Sequence, residues 1–426
     1  MTTAPPAPPA PTPSPTIAPL EGHRPGSRAY RRTLLGLAAG GLANFSLLYY
    51  VQPLLPQVAA HYDVSAGASA QVLSVTTAAM AVALLAVGPV ADRFGRVEVM
   101  RWSLLASGAL GLASAFAPTW GSLLVLRGLA GVALAGLPAV ALAYLREEMH
   151  PGAHARANAA YIAGTAVGGA VGRLAPGPLA ALGGWPLATE VLSVTTLLAA
   201  GALWVLVPRS ARFTPRPLRL GSVLTGTASA FRDPVVALLC AVGFASMGTF
   251  VGVYNAVAFR LEAPPFSLGH AVTLVYLAYP VGIVTPSVAQ LLARRRGRGP
   301  AVVTGLVLLA VGVAVTVPSS VAAVVAGLGI LTVGFFCAHS LVSGWAVDRA
   351  HRQGRGTAQA SSAYLFAYYV GSAVMGAVAT HVWEDAGWAG VVGLATTTTA
   401  VAVAAAAVAA RLDRQPLDQR GLVADR

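Results

Sequence analysis

Charge is what this sequence has least of. Of its 426 residues only 10% are Asp, Glu, Lys or Arg, where a soluble domain carries about 25%. Lysine is absent, and all 28 basic residues are arginine. So little charge beside 56% hydrophobic residues excludes a water-soluble globule. Short alternating apolar segments are missing, which excludes a membrane β-barrel. There are two cysteines, Cys240 and Cys337; both sit inside apolar stretches and read as small packing residues. No Cys/His metal spacing occurs. His150 and His154 are four apart, but in a loop segment with no third ligand nearby. No H-E-x-x-H, no G-x-S-x-G and no paired intramembrane carboxylates are present, so an enzyme is not expected, nor a metal or cofactor. Without G-x-x-x-x-G-K-[ST], ATP-driven pumping is disfavoured as well.

What the chain does have is long blocks of Ala, Leu, Val and Gly, each near the roughly 20 residues that span hydrocarbon as a helix. They fall at about 33–59, 69–90, 99–117, 121–145, 158–182, 186–207, 235–258, 270–292, 301–317, 321–345, 358–381 and 388–410. The expected fold is an all-α membrane protein of twelve transmembrane helices. A net charge of +13 could suggest nucleic acid. The arginines, however, lie between apolar spans, so the bilayer is the expected partner and nucleic acid is not. Every second loop is basic, holding Arg93, Arg96 and Arg101, then Arg146 and Arg156, then Arg209 to Arg232, then Arg294 to Arg298, then Arg349 to Arg355. The opposite loops hold only Arg260 among the arginines. Positive loops stay cytoplasmic. An even span count with both termini inside a bacterial cytoplasmic (inner) membrane follows.

The division expected is a Pro-rich disordered tail over 1–32, a six-helix bundle over 33–207, a basic linker over 208–233, a second bundle over 234–410 and a tail over 411–426. The tail has no apolar core and is not a signal peptide. The two halves overlay at a shift of 203: Tyr161 meets Tyr364, Gly131 meets Gly334, Gly168 meets Gly371, and Gly184-Trp185 meets Gly387-Trp388. Phe45 and Tyr49 meet Phe250 and Tyr254 at a shift of 205. Transporters use such repeats, with the solute site near the midplane between them.

The loop after the second span reads Gly88-Pro-Val-Ala-Asp92-Arg93-Phe-Gly95-Arg96, followed by Arg101. This resembles the G-x-x-x-D-R-x-G-R signature of the major facilitator superfamily, at the same place between spans 2 and 3. In physical terms Gly88 would let helices approach closely and Gly95 would permit a tight turn. Asp92 would accept from a helix N-terminus or pair with arginine, making a cytoplasmic latch. In the second half, Arg294 stands at the Asp92 position and Gln290 at the Gly88 position, so the latch is expected to be asymmetric.

Leu123-x-x-x-Arg127-x-x-Ala130-Gly131 is similar to the L-x-x-x-R-x-x-Q-G pattern of proton-coupled drug exporters of that superfamily, with Ala130 in place of glutamine. Gly164-x-x-x-Gly168-Gly169-x-x-Gly172-Arg173-x-x-Pro176-Gly177-Pro178 resembles their glycine- and proline-rich fifth span. The resemblance covers 33–410. It implies a drug/proton antiporter-like efflux permease, with Gly131, Gly168 and Gly172 as helix-packing positions.

Ionisable groups inside hydrocarbon are site candidates because they are costly there. The four are Arg127, Arg173, Glu190 and His339, the candidates for proton coupling. Glu190 is expected to pair with Arg127 or Arg173, so that protonation biases the conformational equilibrium. His339 has an imidazole that titrates near neutrality. Asn44, Tyr49, Gln52, Tyr254 and Asn255 make a candidate substrate cavity of aromatic faces and few amides. The expected activity is export of small lipophilic or amphipathic compounds by alternating access, with protons as the coupling ion and a monomer as the working unit. The alternatives are an exporter of sugars or other polar metabolites, and a transport-inactive membrane sensor of the same fold.

Overall fold

The computed structural model describes residues 22–210, 213–215, 217 and 220–414. Most of the expected N-terminal tail and of the C-terminal tail therefore lies outside the described residues. Among the described residues there is no strand, only a single bridge between His23 and Met149. Helix α1 spans Arg28–Tyr49 and is capped by the Ser27 hydroxyl, which accepts from the Tyr30 N–H. It thus begins four residues before the boundary expected at 32. A short turn at Gln52–Leu54 leads into α2, Leu55–Tyr62. Pro53 and Pro56 lack the N–H groups that would carry the helix through. Then follow α3 (Ala66–Ser69), α4 (Gln71–Phe94), α5 (Arg96–Ala115), α6 (Trp120–Leu134), α7 (Gly136–Glu148), α8 (His154–Leu174) and α9 (Pro176–Leu206). A short helix α10, Leu220–Ala230, lies in the linker. The second half holds α11 (Pro234–Glu262), a 3₁₀ segment Gly269–Ile283, α12 (Thr285–Arg296), α13 (Arg298–Val315), α14 (Val321–Arg352) and α15 (Thr357–Arg414).

By length and composition eight of these helices can cross a membrane, and the bent pair ending in α12 makes a ninth. Gly387 breaks α15 in two, and α5 and α8 complete a path that fits twelve passes. The repeat is visible in the backbone. Gly95 and Gly297 both have positive φ, at 99° and 87°, and each separates the first basic helix pair of its half. Gly184 and Gly387 have φ of 71° and 60° and break the last pair of each half. A side chain with a Cβ would resist these angles.

Small residues let the helix axes close up. A Cβ on Gly168 would collide with the Leu42 carbonyl of α1, and one on Gly371 with the Phe244 carbonyl of α11. These residues are partners in the repeat. Gly172 faces Ser46 in the same way, since a Cβ there would fall 2.6 Å from the Ser46 carbonyl oxygen, and a Cβ at Gly131 would run into the Thr76 carbonyl. Such close approach gives helices in lipid the packing and polar contacts that hold them together.

The buried apolar side chains form three clusters. One, toward the end of the molecule poor in arginine, draws on both halves, from Leu47 and Tyr49 to Phe250, Tyr254 and Ala395. The other two lie toward the arginine-rich end. One is built only from the first half, Tyr30 to Val207, and the other only from the second, Val235 to Ala409. The halves are therefore joined at one end and separate at the other. The burial of α1 and α11 agrees. From Ala43 and Ala245 onward their side chains are almost all covered, while Leu35 and Ala241, nearer the arginine-rich end, are exposed.

Candidate functional site

Where the two halves meet, Gln52 donates its amide to the Asn255 side-chain oxygen at 2.7 Å. Asn255 in turn donates to the Gly376 carbonyl at 3.2 Å. Arg173, on α8, donates from Nε to the Gln52 oxygen at 2.7 Å and from Nη1 to the Gly169 carbonyl at 2.9 Å. Its guanidinium carbon sits 4.1 Å from the centre of the Tyr49 ring and 4.3 Å from that of Tyr279, with Tyr254 at 5.7 Å and Phe250 at 6.0 Å. All lie within the range where a ring face attracts a cation. Four of the five expected cavity residues, Tyr49, Gln52, Tyr254 and Asn255, thus converge with Arg173. The fifth, Asn44, is fully buried, and both its amide atoms lack a partner.

Next to this knot the rings continue. Phe250 stacks on Phe335 with centroids 4.2 Å apart, and Tyr279 meets Phe336 edge-on at 5.7 Å. Phe335 stacks on His339, which lies 4.7 Å from Tyr368. The His339 Nδ1 and the Tyr364 hydroxyl share a hydrogen bond of 2.9 Å. Tyr254 bonds Thr332 through its hydroxyl at 2.8 Å, and Tyr276 donates to the Tyr254 carbonyl. Phe336, His339 and Tyr368 are half-buried. Sequence reasoning missed Tyr276, Tyr279, Phe335, Phe336, Tyr364 and Tyr368 as site residues. The available signal was spacing: Tyr276 and Tyr279 stand three apart, Tyr364 and Tyr368 four apart, and Phe335 and Phe336 four and three before His339, and such spacing puts rings on one helix face.

The expected pairing of Glu190 with an arginine is not made here. Arg173 spends its donors on Gln52 and Gly169, and Arg127 donates to the Leu48 carbonyl at 3.5 Å and lies 5.2 Å from the Tyr50 ring centre. Arg127 is fully buried, with Nε and Nη1 lacking partners.

At the arginine-rich end, Asp92 pairs with Arg96 at 3.7 Å, and Arg96 with Glu147 at 2.6 Å. Arg101 pairs with Glu98 and donates to the Trp204 and Val207 carbonyls, stapling α5 to the end of α9. Arg93 lies over the Phe94 ring. All of these contacts stay within the first half. Gly88 also differs from expectation in this conformation, since a Cβ there would meet nothing within 4 Å. The second half uses a different device. Arg349, 4% exposed, pairs with Asp233 and Asp413 at 3.0 Å each, and Arg352 joins Asp413 at 2.8 Å. Among the described residues no cluster of His, Cys, Asp and Glu suited to a metal occurs.

The family model described as Major Facilitator Superfamily matches residues 37–376. The chain is 37% identical over 375 residues to the MFS-type transporter YybF of Bacillus subtilis, covering 88% of this chain and 92% of that one. It is 35% identical over 367 residues to the inner membrane transport protein YnfM of Escherichia coli, covering 86% and 87%. Among solved structures, a bacterial homologue of the human lysosomal transporter Spinster, inward-facing and unoccupied, superposes with a TM-score of 0.72 at 16% identity, covering 91% of this chain and 99% of that one. The nucleoside transporter NupG superposes with a TM-score of 0.70 at 13% identity, covering 89% and 99%. The chain belongs to the major facilitator superfamily and is a multi-pass inner-membrane transporter of small molecules, not an enzyme.

Proposed function

We propose that the chain exports small lipophilic or amphipathic compounds by alternating access, with protons as the counter-ion. The observation that carries this reading is the continuous aromatic surface from Tyr279 and Phe250 through Phe335 and Phe336 to His339 and Tyr368. It starts at the contact between the halves and extends into half-buried rings. Flat apolar walls with few polar groups suit ligands that are themselves largely apolar. The arginine-rich end is taken as cytoplasmic, so the conformation described is open inward and would load substrate from the cell interior. Separation of the halves at the tyrosine–arginine knot would release it on the other side.

His339 is the group best placed to couple protons to this cycle. Its imidazole contacts Phe335, Tyr364 and Tyr368, the same rings that would hold substrate, so its charge state would change the site directly. Glu190 makes no ion pair with an arginine here, which argues against it as the coupling group. The test is accumulation of a labelled lipophilic compound in cells with and without the protein, repeated with the proton gradient collapsed. Lower accumulation that depends on the gradient is expected. Accumulation unaffected by the protein, or raised by it, rejects export.

A further inference from the structure

Arg173 carries a positive charge at the contact between the halves that no described residue neutralises. The side chain is fully buried. Its hydrogen-bond acceptors, the Gln52 amide oxygen and the Gly169 carbonyl, are neutral, as is the Tyr279 hydroxyl beside it. Of the other buried arginines, Arg349 has Asp233 and Asp413 and Arg101 has Glu98, while Arg260 donates to the Thr316, Val317 and Pro318 carbonyls beside the Phe266 and Trp388 rings of its own half. A cation held away from water without a counter-ion is costly. The four rings around the guanidinium offset part of that cost, yet they leave the net charge in place. Arg127 is likewise without a carboxylate, but its contacts are to Leu48 and Tyr50 of the first half alone. Among the described arginines only Arg173 reaches the rings of the opposite half, Phe250, Tyr254 and Tyr279.

The aromatic surface that leads away from Arg173 ends in half-buried Phe336, His339 and Tyr368. Its sealed end is an uncompensated planar cation, and its walls are flat and apolar. That pairing is complementary to a molecule with an aromatic body and one negative charge at its tip. We propose that Arg173 is the anion-recognising residue of the substrate site, and that the substrates include amphipathic monoanions carrying an aromatic ring and a carboxylate. This rests on the export reading and narrows it to a substrate class.

A carboxylate would take the guanidinium fork through two parallel hydrogen bonds and displace the Gln52 oxygen. Gln52 is the residue tied to Asn255 across the halves. Binding would therefore loosen the seal that the same arginine holds. The anion binds the loosened state more tightly, and that difference in affinity moves the equilibrium.

The experiment compares equilibrium binding of 2-naphthoate with that of its neutral isostere 2-naphthamide, using the full-length protein in detergent. Wild type should prefer the carboxylate by about tenfold or more, the scale of a charge-assisted hydrogen bond. In R173Q the ratio should fall close to one, and in R173K it should fall partway, because lysine keeps the charge and loses the fork. R173M, which keeps apolar bulk, replaces R173Q should that variant not fold. Equal binding of the two ligands by wild type overturns the assignment, as does an unchanged ratio in R173Q or R173M. Efflux of a neutral lipophilic dye by wild-type vesicles separates the two failures. Dye efflux without any carboxylate preference rejects the anion site alone. Efflux of neither dye nor naphthoate rejects the export reading with it.

Discussion

Gln52 and Asn255 stand 203 positions apart, the same shift that relates the two halves, and they hydrogen-bond to each other. Residues near the same place in each repeat thus meet on the boundary between the halves. Replacing either by leucine strands the partner amide where water is excluded, at a cost of about 1–3 kcal/mol. Q52L and N255L should both shift the population toward separated halves at that end, seen as faster thiol labelling of a cysteine placed at Gly67. Labelling at the wild-type rate would mean the pair does not hold the seal. Among titratable groups, H339Q is expected to flatten the pH dependence of transport and E190Q to leave it intact; the reverse pattern would restore Glu190 as the coupling group. Asp233 is a further residue whose partners matter. Burial works to raise its pKa, but the Val235 N–H, the Arg349 guanidinium and the Val236 N–H outweigh that and hold the carboxyl below its usual range. A depressed carboxylate stabilises the fold above its unfolded pKa and loses that contribution as pH falls through the folded value. D233N should therefore lower thermal stability at neutral pH by about 3 kcal/mol, and the gap to wild type should close in strong acid. A gap that stays constant down to that range would assign the loss to packing rather than charge.

At the scale of helices, close approach is concentrated where α8 crosses α1 and where α15 crosses α11. A leucine at Gly168 or Gly371 must displace a backbone carbonyl of the neighbouring helix, and backbone yields far less readily than a flexible side chain. Both variants should fold poorly, with loss of the monodisperse peak in size-exclusion chromatography. G88A is the contrasting case. Nothing lies within 4 Å of its added Cβ, so its thermal stability should match wild type. If the latch role holds, its transport rate should fall, because the tight approach would belong to the opposite conformation. Wild-type transport in G88A would remove Gly88 from the latch. These crossings were readable from sequence because glycine at helical spacing inside an apolar block has few other uses. The spans themselves were readable because hydrocarbon demands a contiguous apolar run and arginine marks its ends. The aromatic surface was harder to read. Tyr279, Phe335 and Tyr368 raise hydropathy equally whichever way they point, and only packing decides which face of a span meets the other half. The Arg349–Asp233–Asp413 network escaped for a related reason, since a charge at a span end reads as an orientation mark until its partner is seen.

At the scale of the whole molecule, one apolar cluster is shared by the halves and two are separate, and the proposed alternating access would move each half as a body. The superposition on a solved transporter with a TM-score of 0.72 shows that the two-bundle architecture is that of the fold. A transport cycle then requires the shared cluster to part, and blocking that step should stop turnover while leaving the fold intact. Gly67 and His381 provide the place for a block. They lie on opposite halves at the end poor in arginine, and a Cβ at Gly67 would fall 2.5 Å from the His381 ring. Cysteines at both positions have Cβ atoms near enough for a disulfide after a small adjustment. Oxidation of the G67C/H381C pair should abolish transport, and reduction should restore it. The native Cys240 and Cys337 are both buried, so each single-cysteine variant serves as a clean control. Sidedness follows from the same chemistry, with labelled cysteines at Phe94 and Arg295 reacting from one face of the membrane only. Full transport by the cross-linked pair would mean that the solute does not pass between the halves at that end, and the rocking of two bundles would have to be given up.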